Sequence, residues 1–268
     1  MKADFHMHTG FSSDADVKPE EMIKQAIALG LETICFTDHN DMDYPKATEF
    51  RLDVDAYFAE LQRLQEQYRE KIDIRIGVEL GLQPHLGLYH HEFVQKKPFD
   101  FVIGSVHVVD GKDPYYPDFF ETMTDAAAYQ KTFEETLENI KQNRDFDVLG
   151  HIDYIVRYGK GRAKEYSYEK YADLIDEILI TLISNGKGIE LNTAGFKYGL
   201  EFCHPHPQII KRYHELGGEI LTIGSDGHKP EHIAYDFHKV KSILKACGIK
   251  YYTEFKKRKP IFKQLGQN

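Results

Sequence analysis

The chain has 268 residues, 41% of them hydrophobic, enough for a single domain over residues 1–268 with a substantial core. Its net charge of −9 argues against a general nucleic-acid binder, whose footprint is basic, but not against an anionic substrate, because bound metal ions can reverse the field locally. Cys35, Cys203 and Cys247 are too few and too far apart for a disulfide framework or a CxxC metal motif. No leader-like segment and no run of about 18 apolar residues occurs, so a cytoplasmic protein without a membrane span is expected.

The first short apolar run, Ala3–His8, predicts a strand that ends in His6-Met7-His8. Further strands are predicted at Thr33–Thr37, Ile72–Glu79, Phe101–His107, Phe146–His151, Gly188–Asn192 and Glu219–Ser225. Between them, helical periodicity covers Pro19–Leu29, Asp55–Lys71, Asp125–Gln142, Ser167–Asn185, His206–Leu216 and Pro230–Cys247. Pro19 with Glu20 and Glu21 marks a first helical turn, and Gly30, Gly186 and Gly217 stand where helices stop. Strand and helix alternate, which implies parallel strands joined by right-handed crossovers. Seven such strands suit a closed or nearly closed α/β barrel, whose active site lies at the C-terminal ends of its strands.

That rim is where the polar residues gather. Six of the fourteen histidines sit at or just past a predicted strand end: His6, His8, His39, His107, His151 and His228. Asp14, Glu79 and Asp226 join them. Residues two apart on a strand share a face, so His6 and His8 form a ready pair of ligands. Nine nitrogen and oxygen donors exceed what one ion accepts, so two or three divalent ions are expected. Imidazole and carboxylate without thiolate suit Zn²⁺, Mn²⁺ or Fe²⁺. Glu79, on a central strand, is the candidate bridge between ions.

These residues carry a family resemblance. His6-Met7-His8-Thr9, Thr37-Asp38-His39, Ser105-Val106-His107 and Ser225-Asp226-Gly227-His228 are similar, in order, to the motifs of the PHP (polymerase and histidinol phosphatase) metal-dependent phosphoesterases. The resemblance spans nearly the whole chain. It implies a distorted, TIM-like (β/α)7 barrel of PHP type with a trinuclear centre. By that resemblance one metal takes His6, His8, Glu79 and Asp226, a second Glu79, His107 and His151, and the third Asp14, His39 and His228.

Adjacent divalent ions suit hydrolysis of a phosphate monoester by a metal-bridging hydroxide. Asp14, Glu79 and His228 are the catalytic candidates, with Asp14 or His228 orienting a proton-bearing water. Arg157 and Lys197, on loops after the fifth and sixth strands, are the expected phosphate-binding cations, while Lys160, Arg162 and Lys164 are read as solvated. Those two loops resemble the histidinol-phosphatase branch of the family, where the second usually carries Arg. The expected substrate is therefore L-histidinol phosphate, hydrolysed to L-histidinol and phosphate in histidine biosynthesis. The alternatives are a PHP phosphoesterase acting on nucleotides or another phosphometabolite, and a non-catalytic metal-binding module. His85, His90 and His91 are read as ordinary loop residues, and His204 and His206 as the start of a helix. Tyr115-Tyr116 and Tyr251-Tyr252 are read as packing or interface surfaces, and Lys256-Lys257-Arg258-Lys259 as a solvated tail.

Overall fold

In the computed structural model, which describes residues 1–45, 50–161, 163–164 and 166–266, all seven predicted strands occur, several of them shortened. In chain order they are β1 (Ala3–Asp4), β2 (Thr33–Phe36), β3 (His39–Asn40), β4 (Asp73–Gly81), β5 (Phe101–Ser105), β6 (Val148–Leu149), β7 (Gly188–Asn192) and β8 (Leu221–Gly224). The sheet runs β1-β2-β4-β5-β6-β7-β8, every pair parallel, with the extra β3 alongside β4. The last strand returns to the first. Phe5 N–H donates to Ile223 O at 2.9 Å, and Met7 bridges Gly227. Such strands are covered on both faces, which is why they read as continuous apolar runs rather than alternating ones.

The helices α1 (Pro19–Ala28), α2 (Val54–Tyr68), α3 (Gly87–Gln95), α4 (Asp125–Gln142), α5 (Ala172–Ser184), α6 (Ala194–Lys197), α7 (Pro207–Glu215) and α8 (Phe237–Ala246) fill the crossovers. Asp53 caps α2 through Ala56 N–H, and Thr124 caps α4 through Ala127 N–H. None is long and apolar enough to cross a membrane.

Four expectations change. The first strand is regular only over Ala3–Asp4, because the buried Asp4 carboxylate replaces ladder partners: it accepts from His6 N–H, Ser225 N–H, Ser225 Oγ–H and Ala234 N–H. The Pro230–Cys247 helix is two pieces, a 3₁₀ turn at Pro230–His232 and α8, separated where Ala234 and Asp236 take positive φ. His90 and His91 lie on helix α3 rather than in a loop. The basic run is no tail. It is the turn of an antiparallel hairpin, β9 (Tyr251–Lys256) with β10 (Lys259–Gln264), and Arg258 Nε donates to Asp147 Oδ2 at 2.6 Å. This hairpin caps the N-terminal end of the barrel, where Phe255 packs on Phe101 and Thr253 Oγ1 accepts from Leu221 N–H. The opposite end is left for the site.

Candidate metal centre

Glu79, fully buried near the end of β4, stands at the middle of five imidazoles. Its Oε2 lies 3.1 Å from His6 Nε2, 3.4 Å from His8 Nε2 and 3.2 Å from His39 Nδ1. Its Oε1 lies 3.1 Å from His151 Nε2 and 3.3 Å from His107 Nε2, and accepts Ser105 Oγ–H at 2.6 Å. Each oxygen thus faces a different set of rings, the arrangement a bridging carboxylate requires. Asp226 Oδ1 adds to the first set, 3.5 Å from His8 Nε2 and 3.9 Å from His6 Nε2. Nearer the mouth, Asp14 Oδ2 is 3.0 Å from His228 Nε2 and 3.6 Å from His39 Nε2. All nine donors predicted from the strand ends are therefore in one cluster.

The charge balance shows what the cluster can hold. Burial alone would raise the Glu79 carboxyl, but His6, His39 and His107 outweigh it and hold it well below its ordinary value. Asp226 is depressed in the same way against its own burial, chiefly by His6 and His8. Burial disfavours a charged His6, yet Glu190 and Glu79 raise it well above its ordinary value. His39 is raised likewise by Glu79 and Asp14, and His107 to about 10 by Asp41 and Glu79. His8 is driven the other way, to about 3, by burial and its imidazole neighbours. Ionised carboxylates buried among imidazoles, with no thiolate, form a donor set that fits divalent cations. Ligand atoms of His6, His8 and Asp226 lie within 4.8 Å of one another, as do those of His6, Glu79 and His151, of His39, Glu79 and His107, and of His8, His39 and His228.

A cavity of about 520 Å³ opens over this cluster. Its lining is largely aromatic, with Tyr44, Phe50, Tyr115, Tyr116, Tyr154, Tyr158 and Tyr198. Arg157 reaches into it from the loop after β6. Its guanidinium lies 4.2 Å from the Tyr198 ring centre and 4.7 Å from that of Tyr158, and donates to Tyr158 Oη at 2.5 Å. Arg157 Nε and Nη1 are buried without a hydrogen-bond partner. Of the lining carboxylates, Asp14, Asp41, Glu79 and Asp226 are engaged by the imidazoles; Asp113 is not, and instead accepts from Tyr44 Oη–H and from Tyr115 N–H.

Comparison with known proteins gives these observations a family. The PHP domain profile matches residues 4–194. A histidinol-phosphatase of Lactococcus lactis subsp. lactis (strain IL1403) is 31% identical over 95% of this chain and 94% of its own. The chain belongs to the PHP domain family. A probable histidinol-phosphatase of Clostridium acetobutylicum is 34% identical over 93% of this PHP chain and 95% of its own. The crystal structure of the L. lactis histidinol phosphate phosphatase, in complex with zinc, L-histidinol and phosphate, superposes with a TM-score of 0.90 at 31% identity, covering 97% of this chain and 98% of that one.

Not every expected residue of the PHP chain lands in the site. Lys197, paired with Arg157 in the sequence reading, does not line the cavity; its ammonium donates to the Asp226 carbonyl at 2.7 Å. Lys160 donates to Phe120 O, and Arg162 lies outside the described residues. Tyr115 and Tyr116, expected on a packing surface, line the cavity. His85, His90 and His91 do not; they meet Asp43, Asn143 and Asp145. His204 meets Asp153, and His206 caps α7. Asp41, Asp113 and Glu190 belong to no motif at the strand ends and are additions that the structure makes to the site. The available signal for Glu190 was an acid inside an otherwise apolar strand, and for Asp41 its place two residues after His39.

Asp41 Oδ2 lies 2.7 Å from His107 Nδ1, and the pair makes stability depend on pH. Burial alone would raise Asp41, but His107 holds it at about 2, below its ordinary 3.8. Its stabilisation is present above 3.8 and is lost as pH falls through about 2. The raised His107 stabilises fully below 6.5 and loses that contribution as pH rises through about 10. A metal taken up at His107 Nε2 must displace that proton. The Tm of metal-free protein is therefore expected to fall between pH 6.5 and 10, while the gain in Tm on adding zinc widens. Thermal unfolding of both forms across that range checks it; a gain in Tm that narrows with rising pH contradicts it.

Proposed function

We infer that this chain is a metal-dependent phosphomonoesterase that hydrolyses L-histidinol phosphate to L-histidinol and phosphate. The observation that carries this reading is a single cavity that joins a nine-donor cluster, a guanidinium with unpartnered N–H groups and a carboxylate, Asp113, that no imidazole engages. Its PHP relative from L. lactis binds zinc, L-histidinol and phosphate in one crystal structure, which supports the same reading.

We assign His6, His8, Glu79 and Asp226 to one divalent ion, Glu79, His107 and His151 to a second, and Asp14, His39 and His228 to a third. Zinc, manganese and iron all suit these donors. Bound ions would supply positive charge that activates water and neutralises the phosphoryl oxygens. The protein's own groups do the rest. Arg157, whose Nε and Nη1 have no hydrogen-bond partner in the protein, would supply N–H donors to the phosphate. The rings of Tyr154, Tyr158 and Tyr198 surround that planar guanidinium and hold its direction. Asp14 and His228 lie 3.0 Å apart and are placed to orient a water that protonates the departing alkoxide.

Asp113 selects the leaving group. Its carboxylate would pair with the ammonium of histidinol and repel a second phosphate, which disfavours nucleoside di- and triphosphates. Asp113→Asn is expected to lower kcat/KM for histidinol phosphate by about 10- to 100-fold, the loss of one charged hydrogen bond. Turnover of p-nitrophenyl phosphate, which has no ammonium, should change little. Phosphate release from histidinol phosphate, phosphotyrosine, nucleotides and p-nitrophenyl phosphate, by the parent and the variant, tests both the substrate and its selector. Equal efficiency of the parent on all four contradicts the proposed substrate.

A further inference from the structure

We propose that Glu190 is a positioning residue for the metal centre: its carboxylate fixes the tautomer and direction of the His6 ring, so that Nε2 is the atom offered to the metal. The inference rests on the assignment of His6 to that centre.

Glu190 lies within β7 and is 1% exposed. Its Oε1 is 2.6 Å from His6 Nδ1. Its Oε2 accepts His151 N–H at 3.1 Å and an Asn192 Nδ2–H at 3.2 Å. One carboxylate thus ties the ends of β1, β6 and β7 together. A neutral imidazole facing a carboxylate at Nδ1 carries its proton there and leaves Nε2 free as a ligand. That free nitrogen points to the cluster, 3.0 Å from His8 Nε2 and 3.1 Å from Glu79 Oε2.

The neighbouring strand is cut to fit this pair. A Cβ at Gly224 would sit 2.3 Å from His6 Cβ and 2.4 Å from Glu190 Oε1, so only glycine admits their approach. Asp41 makes a similar contact with His107 Nδ1, but Asp41 also lines the cavity, where substrate could reach it. Glu190 does not line the cavity. It can act on the reaction only through His6, the Asn192 amide and the backbone it holds, so its removal should change metal binding and not substrate affinity.

The first test uses the unaltered protein. Long-range ¹H–¹⁵N correlation on zinc-loaded, ¹⁵N-histidine-labelled protein is expected to show His6 protonated at Nδ1 and coordinated through Nε2. Glu190→Gln, which can still accept one hydrogen bond, and Glu190→Leu, which cannot, form a graded series. Competition with a chromophoric chelator should show zinc affinity at one site falling about 10-fold and about 100-fold respectively, the range for loss of a ligand's hydrogen-bond partner. The zinc-saturated variants should keep the parental KM for histidinol phosphate. Coordination of His6 through Nδ1, or a Glu190→Leu protein that holds all its zinc at parental affinity, overturns the proposal while leaving the metal centre standing. A parent protein that takes up no zinc overturns the centre and the proposal together.

Discussion

Glu79→Gln is expected to lower kcat/KM for histidinol phosphate by at least about 10³-fold, more than the 10- to 100-fold typical for a residue that only supports a ligand. Both oxygens of Glu79 are committed, one toward His6, His8 and His39, the other toward His107, His151 and Ser105. Gln keeps the volume but turns one oxygen into an N–H donor, which can neither bridge cations nor accept from an imidazole. In metal-free protein the substitution also leaves His6, His39 and His107 without their shared counter-charge. Breaking a buried pair in this way costs about 3–5 kcal/mol, so the metal-free variant should unfold at a clearly lower temperature. Phosphate release, metal content and thermal unfolding together check the result. Parental turnover with a parental metal content would remove Glu79 from the mechanism.

The second large effect is expected at Arg157. Arg157→Met keeps much of the apolar stem against Tyr154, Tyr158 and Tyr198 but deletes the charge. A buried cation matched to a phosphoryl group is worth about 10²- to 10³-fold in kcat/KM, by the measured cost of breaking buried charge pairs. Metal content should stay at the parental level, since Arg157 touches none of the nine donors. Arg157→Lys should recover little. A lysine cannot present two parallel N–H groups or stack on the Tyr198 face as a plane. Full activity in Arg157→Met would move phosphate binding elsewhere in the cavity.

The donors were legible because chemistry-bearing side chains stand out at the ends of apolar strands. His39, His107, His151 and His228 each follow a run whose register is set by burial, so their convergence follows from the barrel itself. What supports the donors was not legible. Asp41 looks like any acid beside a ligand and Glu190 like a stray acid in a strand, and their roles depend on reaching His107 and His6 across strands far apart in sequence. Lys197 ends the short helix α6 in the expected crossover rather than standing on a loop, and the direction of its long stem is decided by the Asp226 carbonyl, which local pattern does not encode. The hairpin was hidden for a similar reason. Its lysines suggest a solvated tail until Arg258 meets Asp147 and Phe255 meets Phe101. The early end of β1 is likewise set by a side chain, Asp4, which captures amides that a ladder would have used.

On the proposed assignment, phosphate release from histidinol phosphate depends on ions held by the nine-donor cluster. The most direct measurement is that release on one preparation, metal-loaded, then stripped by chelation and dialysis, then reloaded with zinc or manganese. Two to three bound equivalents are expected, with activity lost as they are removed and regained on reloading. Undiminished hydrolysis of histidinol phosphate by the stripped protein would contradict that assignment.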